Sequence, residues 1–311
     1  MEQRRTLIEG AMMAALFSII LLATLFIPIL GILFLWFLPL PFIIFGVRAG
    51  LKANGITWLV AMFLALILTG PLGLLIALFF GTCGLVIGEI YRRNLGGFSQ
   101  ILGAGLTFTT AMVIAYVVST AIFGIDPMTA GRDSMYLQID FVKSTLGSMG
   151  NTEAIEQMYQ MADLLLYLAP LMIVMSGVTI AVITVALSNM VLKRLGFKYK
   201  KMPPFREWKF PRSFIWYFLL VMILSLIGFE EGTTMFLAIT NLYFLLGFVM
   251  IVQGFSFIFN YFHTVNKSKA WPIVIVVVCF LFSPLMEIVK ILGIIDLGFD
   301  LRTWIKNKKK K

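Results

Sequence analysis

The longest apolar runs of this sequence constrain its fold more than any other feature. Nine segments carry few charges, and they cover roughly residues 7–29, 33–47, 55–70, 72–90, 101–124, 164–192, 213–229, 234–262 and 271–296. Buried strands of soluble α/β folds have apolar runs of only about 4–8 residues. Crossing a bilayer core of about 30 Å takes a helix of about 20 residues. Charged residues make up 13% of the chain, against about 25% in soluble domains, so the sequence predicts an integral membrane protein.

The apolar segments must be helices, because a backbone exposed to lipid has to satisfy its own hydrogen bonds and the alternation of a barrel strand is absent. The sequence therefore predicts an all-α, polytopic transmembrane bundle of eight to nine segments. The first segment follows Arg4 and Arg5. It is longer than the core of a signal peptide, about 7–15 residues, and no A-x-A site follows it, so we interpret it as a retained span.

The positions of lysine and arginine predict the orientation of the bundle. If each segment crosses once, one side receives Arg4, Arg5, Arg48, Lys52, Arg92, Arg93, the eight cations of the loop 193–212, Lys267 and Lys269. The other side receives Asp126, Asp133, Asp140, Glu153, Glu156, Asp163, Glu230 and Glu231. Cytoplasmic loops of membrane proteins are enriched in cations. We expect a cytoplasmic N-terminus in a bacterial plasma membrane. Because the positive charges lie at the ends of apolar segments, we attribute the net charge of +10 to cytoplasmic loops and expect no role in binding nucleic acid.

The last apolar segment, 271–296, leaves two topologies open. A ninth crossing places the tail outside, although the tail carries Arg302, Lys306 and Lys308–Lys311. Ser283-Pro284 can break the helix, and a segment that re-enters keeps the tail in the cytoplasm, which we favour. Glu287 and Lys290 share a helical face. In a straight helix starting near Trp271, Glu287 lies about 24 Å along the axis, so we expect an interfacial salt bridge rather than a proton relay.

The hydrophilic connection 125–163 is external in this topology. Met135, Ile139, Val142 and Leu146 form one apolar helical face. Either Asp133 or Ser134 is the expected N-cap of that helix, and Gly147 and Gly150 are expected to end it. A second helix, capped by Asn151, has an apolar side made of Ile155, Met158 or Tyr159, and Ala162. We interpret the pair as amphipathic helices on the outer surface, and the alternative is a lid over an external cavity.

The sequence divides into three regions. Residues 1–193 form a predicted six-helix membrane domain, 194–212 a basic cytoplasmic loop with Pro203-Pro204 and Pro211, and 213–311 a C-terminal hairpin with the last apolar segment and a lysine-rich tail. Aromatic residues interleave with the charges of the loop. The loop either lies against anionic lipid headgroups or docks a cytoplasmic partner.

Residues that could carry out chemistry are scarce. The sequence has no P-loop, no G-x-S-x-G and no H-E-x-x-H motif. Its single histidine, His263, ends an apolar segment, and Cys83 and Cys279 have no metal-ligand spacing. We interpret the adjacent Glu230 and Glu231 as solvated. The sequence predicts no catalytic residue, no metal, no cofactor and no enzymatic activity.

Small residues recur at helical spacing in two apolar segments. Ala77 and Gly81 are four residues apart, as are Gly84 and Gly88, and Ala11 and Ala15 in the first segment. Such spacings let membrane helices approach closely. We expect the four residues of segment 72–90 to pack helices together.

The order of motifs over residues 1–193 resembles the substrate-binding S components of energy-coupling-factor transporters. The motifs are E-G-A-M-M-A-A-L at 9–16, Pro28, P-L-P at 39–41, G-V-R-A-G-L-K at 46–52, Gly70-Pro71 and E-I-Y-R-R at 89–93. The resemblance implies six helices and an A-x-x-x-A contact with a membrane coupling subunit, matched by Ala11 and Ala15. It also implies an outer pocket for a small molecule that the sequence does not identify, lined by Trp36, Gly70, Pro71, Tyr116 and Tyr167.

The whole chain resembles the YybS-like membrane family of Gram-positive bacteria, which is similar to both S components and MreD-type cell-shape proteins. Two functions follow from these resemblances. The first is a small-molecule binding or transport subunit of S-component type without chemistry of its own. The alternative is a non-enzymatic scaffold of MreD type that organises the cell envelope through its basic loop. The expected partners are the lipid bilayer and either a coupling subunit or an envelope-synthesis protein.

Overall fold

The structure, a computed structural model, describes residues 2–146, 152–268 and 270–308. Within these ranges every regular element is helical, which confirms the all-α polytopic class. The α-helices are α1 (Glu2–Phe26), α2 (Leu30–Leu35), α3 (Leu40–Arg92), α4 (Gly97–Ala121), α5 (Pro127–Leu146), α6 (Thr152–Tyr167), α7 (Ala169–Arg194), α8 (Ser213–Ile227), α9 (Thr234–Thr264), α10 (Ala270–Leu281), α11 (Ser283–Phe299) and α12 (Leu301–Lys308). A 3₁₀ turn covers Phe205–Glu207.

Five helical stretches of the described chain are long and apolar enough to cross a membrane: α1, Leu30–Arg92, α4, α7 and α9. The stretch Leu30–Arg92 is bent twice, at Gly50 with φ +80° and at Gly70 with φ +69°. Glycine adopts positive φ without steric cost, and other residues rarely do. The bends divide this stretch into three successive helical segments, which correspond to the apolar segments 33–47, 55–70 and 72–90.

The chain folds into two compact units, one formed by Met1–Pro127 with Met172–Met202 and the other by Met128–Leu171 with Pro203–Lys311. The sequence-based division instead kept residues 128–171 with the N-terminal region. Two hydrogen bonds of the Asn241 side chain hold the end of residues 128–171 in the second unit. Its amide nitrogen donates to the Tyr167 carbonyl (2.7 Å) and its amide oxygen accepts from the Leu171 N–H (2.9 Å). These bonds join the break between α6 and α7 to α9.

The core of the N-terminal unit surrounds the start of α3. Residues 40–46 are buried without interruption, and the ring of Phe42 packs 5.0 Å from that of Phe17 in α1. Asn54 is fully buried, and its amide nitrogen donates to the Phe42 carbonyl at 2.7 Å. A Cβ on Gly46 would stand 2.7 Å from that nitrogen, so the bond requires glycine at this position.

Cations of the N-terminal unit gather at one of its ends. Glu9 binds Arg5 at 3.1 Å and Arg48 at 3.7 Å, and the guanidinium of Arg48 lies over the ring of Phe197. Near the end of α3, Glu89 pairs with the two arginines that follow it. The side chain of Gln100, at the start of α4, donates to the Lys200 carbonyl at 3.2 Å. The arrangement agrees with the one-sided charge distribution expected from the sequence.

In the C-terminal unit, α9 and α11 run parallel and in close contact. The neighbouring pairs are, in order, Gly247 with Lys290, Met250 with Gly293, and Gln253 with Asp296. The carbonyl oxygen of Val289 occupies the space that a Cβ on Gly254 would need, and the carbonyl of Met250 does the same at Gly293. Close packing of this kind is how helices associate in lipid, where the hydrophobic effect between helices is absent.

The last apolar segment forms a helical hairpin instead of one helix. It breaks at Phe282, just before Pro284, into α10 and α11. Because α11 runs parallel to α9, it ends at the same end of the unit as α9, and α10 begins there six residues after α9 ends. Both ends of the hairpin therefore lie at the same end of the unit. This arrangement matches the re-entrant topology, which keeps the tail beside the basic loop.

The break also moves the pair of Glu287 and Lys290. The expected interfacial position assumed a straight helix from Trp271, and that premise is wrong because α11 starts anew at Ser283. Lys290 lies beside Gly247, in the middle part of α9, and Glu287 is about 18 Å of helix from the end of α11. The pair therefore lies beside the middle of α9 and not near its end.

The connection between the transmembrane segments forms the helical pair α5 and α6. Helix α5 begins at Pro127, so the expected caps Asp133 and Ser134 are wrong, and the Ser134 hydroxyl bonds to the Ala130 carbonyl inside the helix. The expected breaks Gly147 and Gly150 and the cap Asn151 lie outside the described residues. The buried residues of the pair are Ile139, Ile155 and Ala162, with Met135, Tyr136 and Tyr159 against them.

Candidate functional sites of the two units

The small residues Ala11 and Ala15 lie on the outer face of α1. Both are exposed in the chain, whereas Ala14, Phe17 and Leu21 on the opposite face are buried in the core. The helix therefore keeps one face for its own unit and presents its small-residue face outward.

A groove lies directly beside Ala11. It has a volume of about 240 Å³ and is lined by Thr6, Leu7, Gly10, Ala11, Phe45, Ala53, Ile56, Thr57 and Val60. Gly10 forms its floor, since a Cβ there would stand 2.6 Å from the Thr57 hydroxyl oxygen. The walls are mainly apolar, so the groove suits hydrocarbon and not a polar metabolite.

The four small residues of the fourth apolar segment lie at close contacts between helices. Ala77 is fully buried, and its carbonyl accepts from the indole N–H of Trp58 at 3.2 Å. The indole ring covers Gly81, and a Cβ on Gly84 would stand 2.7 Å from the Pro39 carbonyl oxygen. A Cβ on Gly88 would stand 3.1 and 3.2 Å from the carbonyl oxygens of residues 42 and 43. The end of α3 thus lies directly against its start.

The residues expected to line an outer ligand pocket are placed as follows. Trp36 is half-buried in the turn between α2 and α3, Gly70 forms the second bend, and Pro71 is exposed beside it. The Tyr116 hydroxyl donates to Asp126 at 3.3 Å. Tyr167 belongs to the other unit, where its ring packs against that of Phe236. None of these residues lines the cavities described in this section, and the outer pocket stays a prediction.

A buried polar network in the C-terminal unit was not foreseen from the sequence. Asp296 is fully buried, and its Oδ2 accepts from Gln253 Nε2 at 2.5 Å and from Arg302 Nε at 2.9 Å. Its other oxygen, Oδ1, is buried without a hydrogen bond among the described residues. A buried charge is tolerated only when it is paired, and here the guanidinium supplies the pairing.

The same network fastens the basic loop to the helices. Arg302 donates to the Arg206 carbonyl at 2.9 Å and to the Ser256 hydroxyl at 3.1 Å. That hydroxyl in turn lies within hydrogen-bond distance of the carbonyls of Phe205 and Trp208. Because these groups come from the loop, α9, α11 and α12, the network fixes the loop and the terminal helix together.

Asp300 extends this attachment to the surface of the unit. It caps α11 in the left-handed region and accepts from Lys209 at 2.8 Å, with Arg212 at 3.4 Å. The hydrogen bond from Lys209 holds the pKa of the Asp300 carboxyl below its ordinary value. The only sequence indication of these contacts was the cationic composition of the loop.

Two cavities lie along α9 and α10 at the same end of the C-terminal unit. The larger, of about 480 Å³, is lined by Pro204, Phe205, Arg206, Phe259, Phe262, His263, Asn266, Lys267, Pro272 and Ile273. The other, of about 290 Å³, is lined by Phe257, Ile258, Tyr261, Phe262, Ile275, Leu292, Leu301 and Ile305. Phe262 lines both, so a cationic cavity adjoins an apolar one.

The ion pair of α11 has one enclosed and one exposed partner. Lys290 Nζ lies 2.5 Å from Glu287 Oε2, and their side chains are 12% and 63% exposed. The ammonium also lies over the ring of Tyr243, at 5.5 Å from its centroid.

Crossed tyrosine–aspartate bonds join α5 to α6. The hydroxyl of Tyr136 donates to Asp163 at 2.6 Å, and that of Tyr159 donates to Asp140 at 2.5 Å. Each hydrogen bond raises the pKa of its tyrosine, because the proton is shared with a carboxylate. As for metals, no group of three or more His, Cys, Asp or Glu side chains suited to an ion occurs in residues 2–146, 152–268 and 270–308.

Long apolar helices, cationic ends and a re-entrant hairpin define a polytopic helical membrane protein. Residues 15–297 match the family described as "Predicted membrane protein (DUF2232)", and the chain belongs to that family. It is similar to "Uncharacterized protein YybS" of Bacillus subtilis (strain 168), with 32% identity over 312 aligned positions. The alignment covers 98% of this chain and all of that relative. The YybS-like resemblance is thereby confirmed. No solved structure matches the chain.

Proposed function

We propose that the chain is a membrane-embedded binding or transport subunit of S-component type that has no catalytic activity and depends on a partner for energy. The observation that carries the proposal is the outward small-residue face of α1, with Ala11 and Ala15 exposed. The other face of the same helix is already used in the core. A second, unused packing face on the first helix is what a coupling partner requires.

Small residues matter here because helices in lipid associate by close backbone packing rather than by the hydrophobic effect. Two alanines one turn apart allow a partner helix to approach closely. The groove beside Ala11, of about 240 Å³, offers space for a bulky apolar side chain of that helix. The face and the groove together form a docking strip inside the membrane.

The proposal includes no catalytic activity because several carboxylates are engaged in ion pairs. Glu9, Glu89 and Asp300 are each paired with cations, and a general acid or base needs an accessible proton near the reacting atom. The ligand would be captured at the outer side, near Trp36, the Gly70–Pro71 bend and Tyr116. The cationic ends of the units face the cytoplasm in this proposal, in a bacterial plasma membrane, by the positive-inside rule.

The test is to place larger side chains on the small-residue face of α1. We expect Ala11→Leu/Ala15→Leu to abolish co-purification of the membrane partner while the protein still inserts and melts like the wild type. The matched control is Ala115→Leu/Ala121→Leu, two exposed alanines of α4, which should retain the partner. Equal partner recovery from both variants would reject the docking role of α1.

A second candidate is the MreD-type scaffold, which one observation favours. The segment 205–210 is held in a defined shape by three hydrogen bonds: Ser256 and Arg302 donate to its carbonyls, and the Phe210 N–H donates to the side-chain oxygen of Gln253, as a docking surface would require. We expect Lys198→Gln/Lys200→Gln/Lys201→Gln, which neutralises exposed cations of the basic loop, to remove an envelope-synthesis partner if the scaffold is correct. Unchanged partner binding with lost ligand uptake would favour the transport subunit instead.

A further inference from the structure

We propose that the cationic cavity of the C-terminal unit binds the phosphate headgroup of an anionic membrane lipid, with a hydrocarbon chain of that lipid in the adjoining apolar cavity. The cavity volume of about 480 Å³ lies within the range of small-molecule sites, roughly 300–1,000 Å³. Arg206, His263 and Lys267 contribute to its wall. It opens where apolar helices give way to the basic loop, which is where lipid phosphates are found.

Arg206 is positioned for an anion by contacts to its own backbone. Its carbonyl accepts from Arg302 at 2.9 Å and from Asn260 at 3.1 Å, which fixes the residue without using its guanidinium. Within the part of the chain that the structure describes, the guanidinium makes one long ion pair, of 3.6 Å, with the exposed Glu207. The planar guanidinium matches two phosphate oxygens at once, so a phosphate is a better partner than this carboxylate.

Three phenylalanines contribute to the remainder of the wall. Phe205 and Phe259 meet edge to face at 5.5 Å, and Phe262 stands beside them. Cations set among aromatic rings suit an amphipathic anion, because a fully hydrated ion gains nothing from the apolar surface.

The adjoining cavity distinguishes a lipid from a free anion. It is lined by aliphatic and aromatic side chains from α9, α10, α11 and α12, and it shares Phe262 with the cationic cavity. A ligand with a phosphate and a hydrocarbon chain uses both cavities, whereas inorganic phosphate uses only one. The network of Asp296 and Arg302 builds both, since it holds Arg206 for one cavity and the start of α12, with Leu301, for the other.

The experiment measures lipid retention by native mass spectrometry of the full chain, purified in detergent and incubated with phosphatidylglycerol, phosphatidylcholine or inorganic phosphate. We expect selective retention of phosphatidylglycerol by the wild type. Arg206→Gln/Lys267→Gln should lower it about tenfold, as expected for the loss of charge-assisted hydrogen bonds. The matched control is Lys193→Gln/Arg194→Gln, which removes the same charge from exposed positions at the end of α7 and should retain the lipid.

The apolar cavity is tested separately on one helix. Ile275→Ser alters its wall, and Val277→Ser makes the same kind of change at an exposed position of α10. We expect only the first to weaken retention, with both melting like the wild type. Equal losses in the two charge variants would show general attraction to anions and overturn the proposal. Displacement of the lipid by an equal concentration of inorganic phosphate would overturn it too, since the site would then bind a free anion.

Discussion

At the scale of single residues, the carboxylate of Asp296 imposes the strictest requirement in the C-terminal unit. It is fully buried, and Arg302, six residues later, is its cationic partner. Removing one member of a buried ion pair is costly because the remaining charge has neither water nor counter-ion. The loop carbonyl of Arg206 and the hydroxyl of Ser256 also depend on this guanidinium.

We predict that Arg302→Met destabilises the protein by about 3 kcal/mol or more, as for other buried pairs. Thermal unfolding in detergent measures the change. The comparison is Arg212→Gln, whose side chain is 65% exposed in a pair of 3.4 Å and whose loss should cost at most about 1 kcal/mol. If the two variants melt at the same temperature, the network does not hold the unit together.

At the scale of elements, the parallel contact of α9 and α11 and the break at Phe282 determine where charges lie. A straight helix would carry Glu287 to the far interface, whereas the hairpin leaves the Glu287–Lys290 pair beside the middle of α9. The contact that aligns the two helices depends on Gly254 and Gly293, each facing a backbone carbonyl of the other helix.

We predict that Gly254→Ala destabilises the protein by about 1–3 kcal/mol, because the new methyl group overpacks the contact with Val289. Gly55→Ala is the matched control, since it lies in a helix of the same apolar class with nothing within 4 Å of its Cβ position. Because alanine has a higher helix propensity than glycine, Gly55→Ala should instead stabilise the protein by up to about 1 kcal/mol. Melting temperatures of the two variants compare these effects, and a neutral Gly254→Ala would contradict the close packing.

At the scale of the whole molecule, the topology depends on the side at which the last hairpin leaves the membrane. The end of α9, the start of α10 and the end of α11 lie at one end of the C-terminal unit, with the loop segment 203–212. The turn at Glu230 and Glu231 joins the other ends of α8 and α9. The chain crosses the membrane an even number of times if each of the following crosses once: α1, the three segments of Leu30–Arg92, α4, α7, α8 and α9.

We predict that Thr303→Cys and Lys267→Cys react with a membrane-impermeant maleimide only after the cells are opened, in a background with Cys83→Ala and Cys279→Ala. Glu231→Cys should react in intact cells. Labelling of Thr303→Cys together with Glu231→Cys would mean that the last segment crosses completely.

The sequence by itself determined the helical class, the apolar segments and the gathering of cations, because length, hydropathy and charge are local properties of a chain in lipid. The pairing of Gln253 with Asp296 needed the tertiary structure, since these residues are 43 positions apart and meet only where α9 and α11 align. The role of Arg302 needed it too, because its other contacts are to the loop and to α9. The two-unit division, the hairpin at Phe282 and the cavities at the basic end were decided in the same way. They depend on which helix faces pack together, and helices with apolar residues on every side do not specify this through their hydropathy.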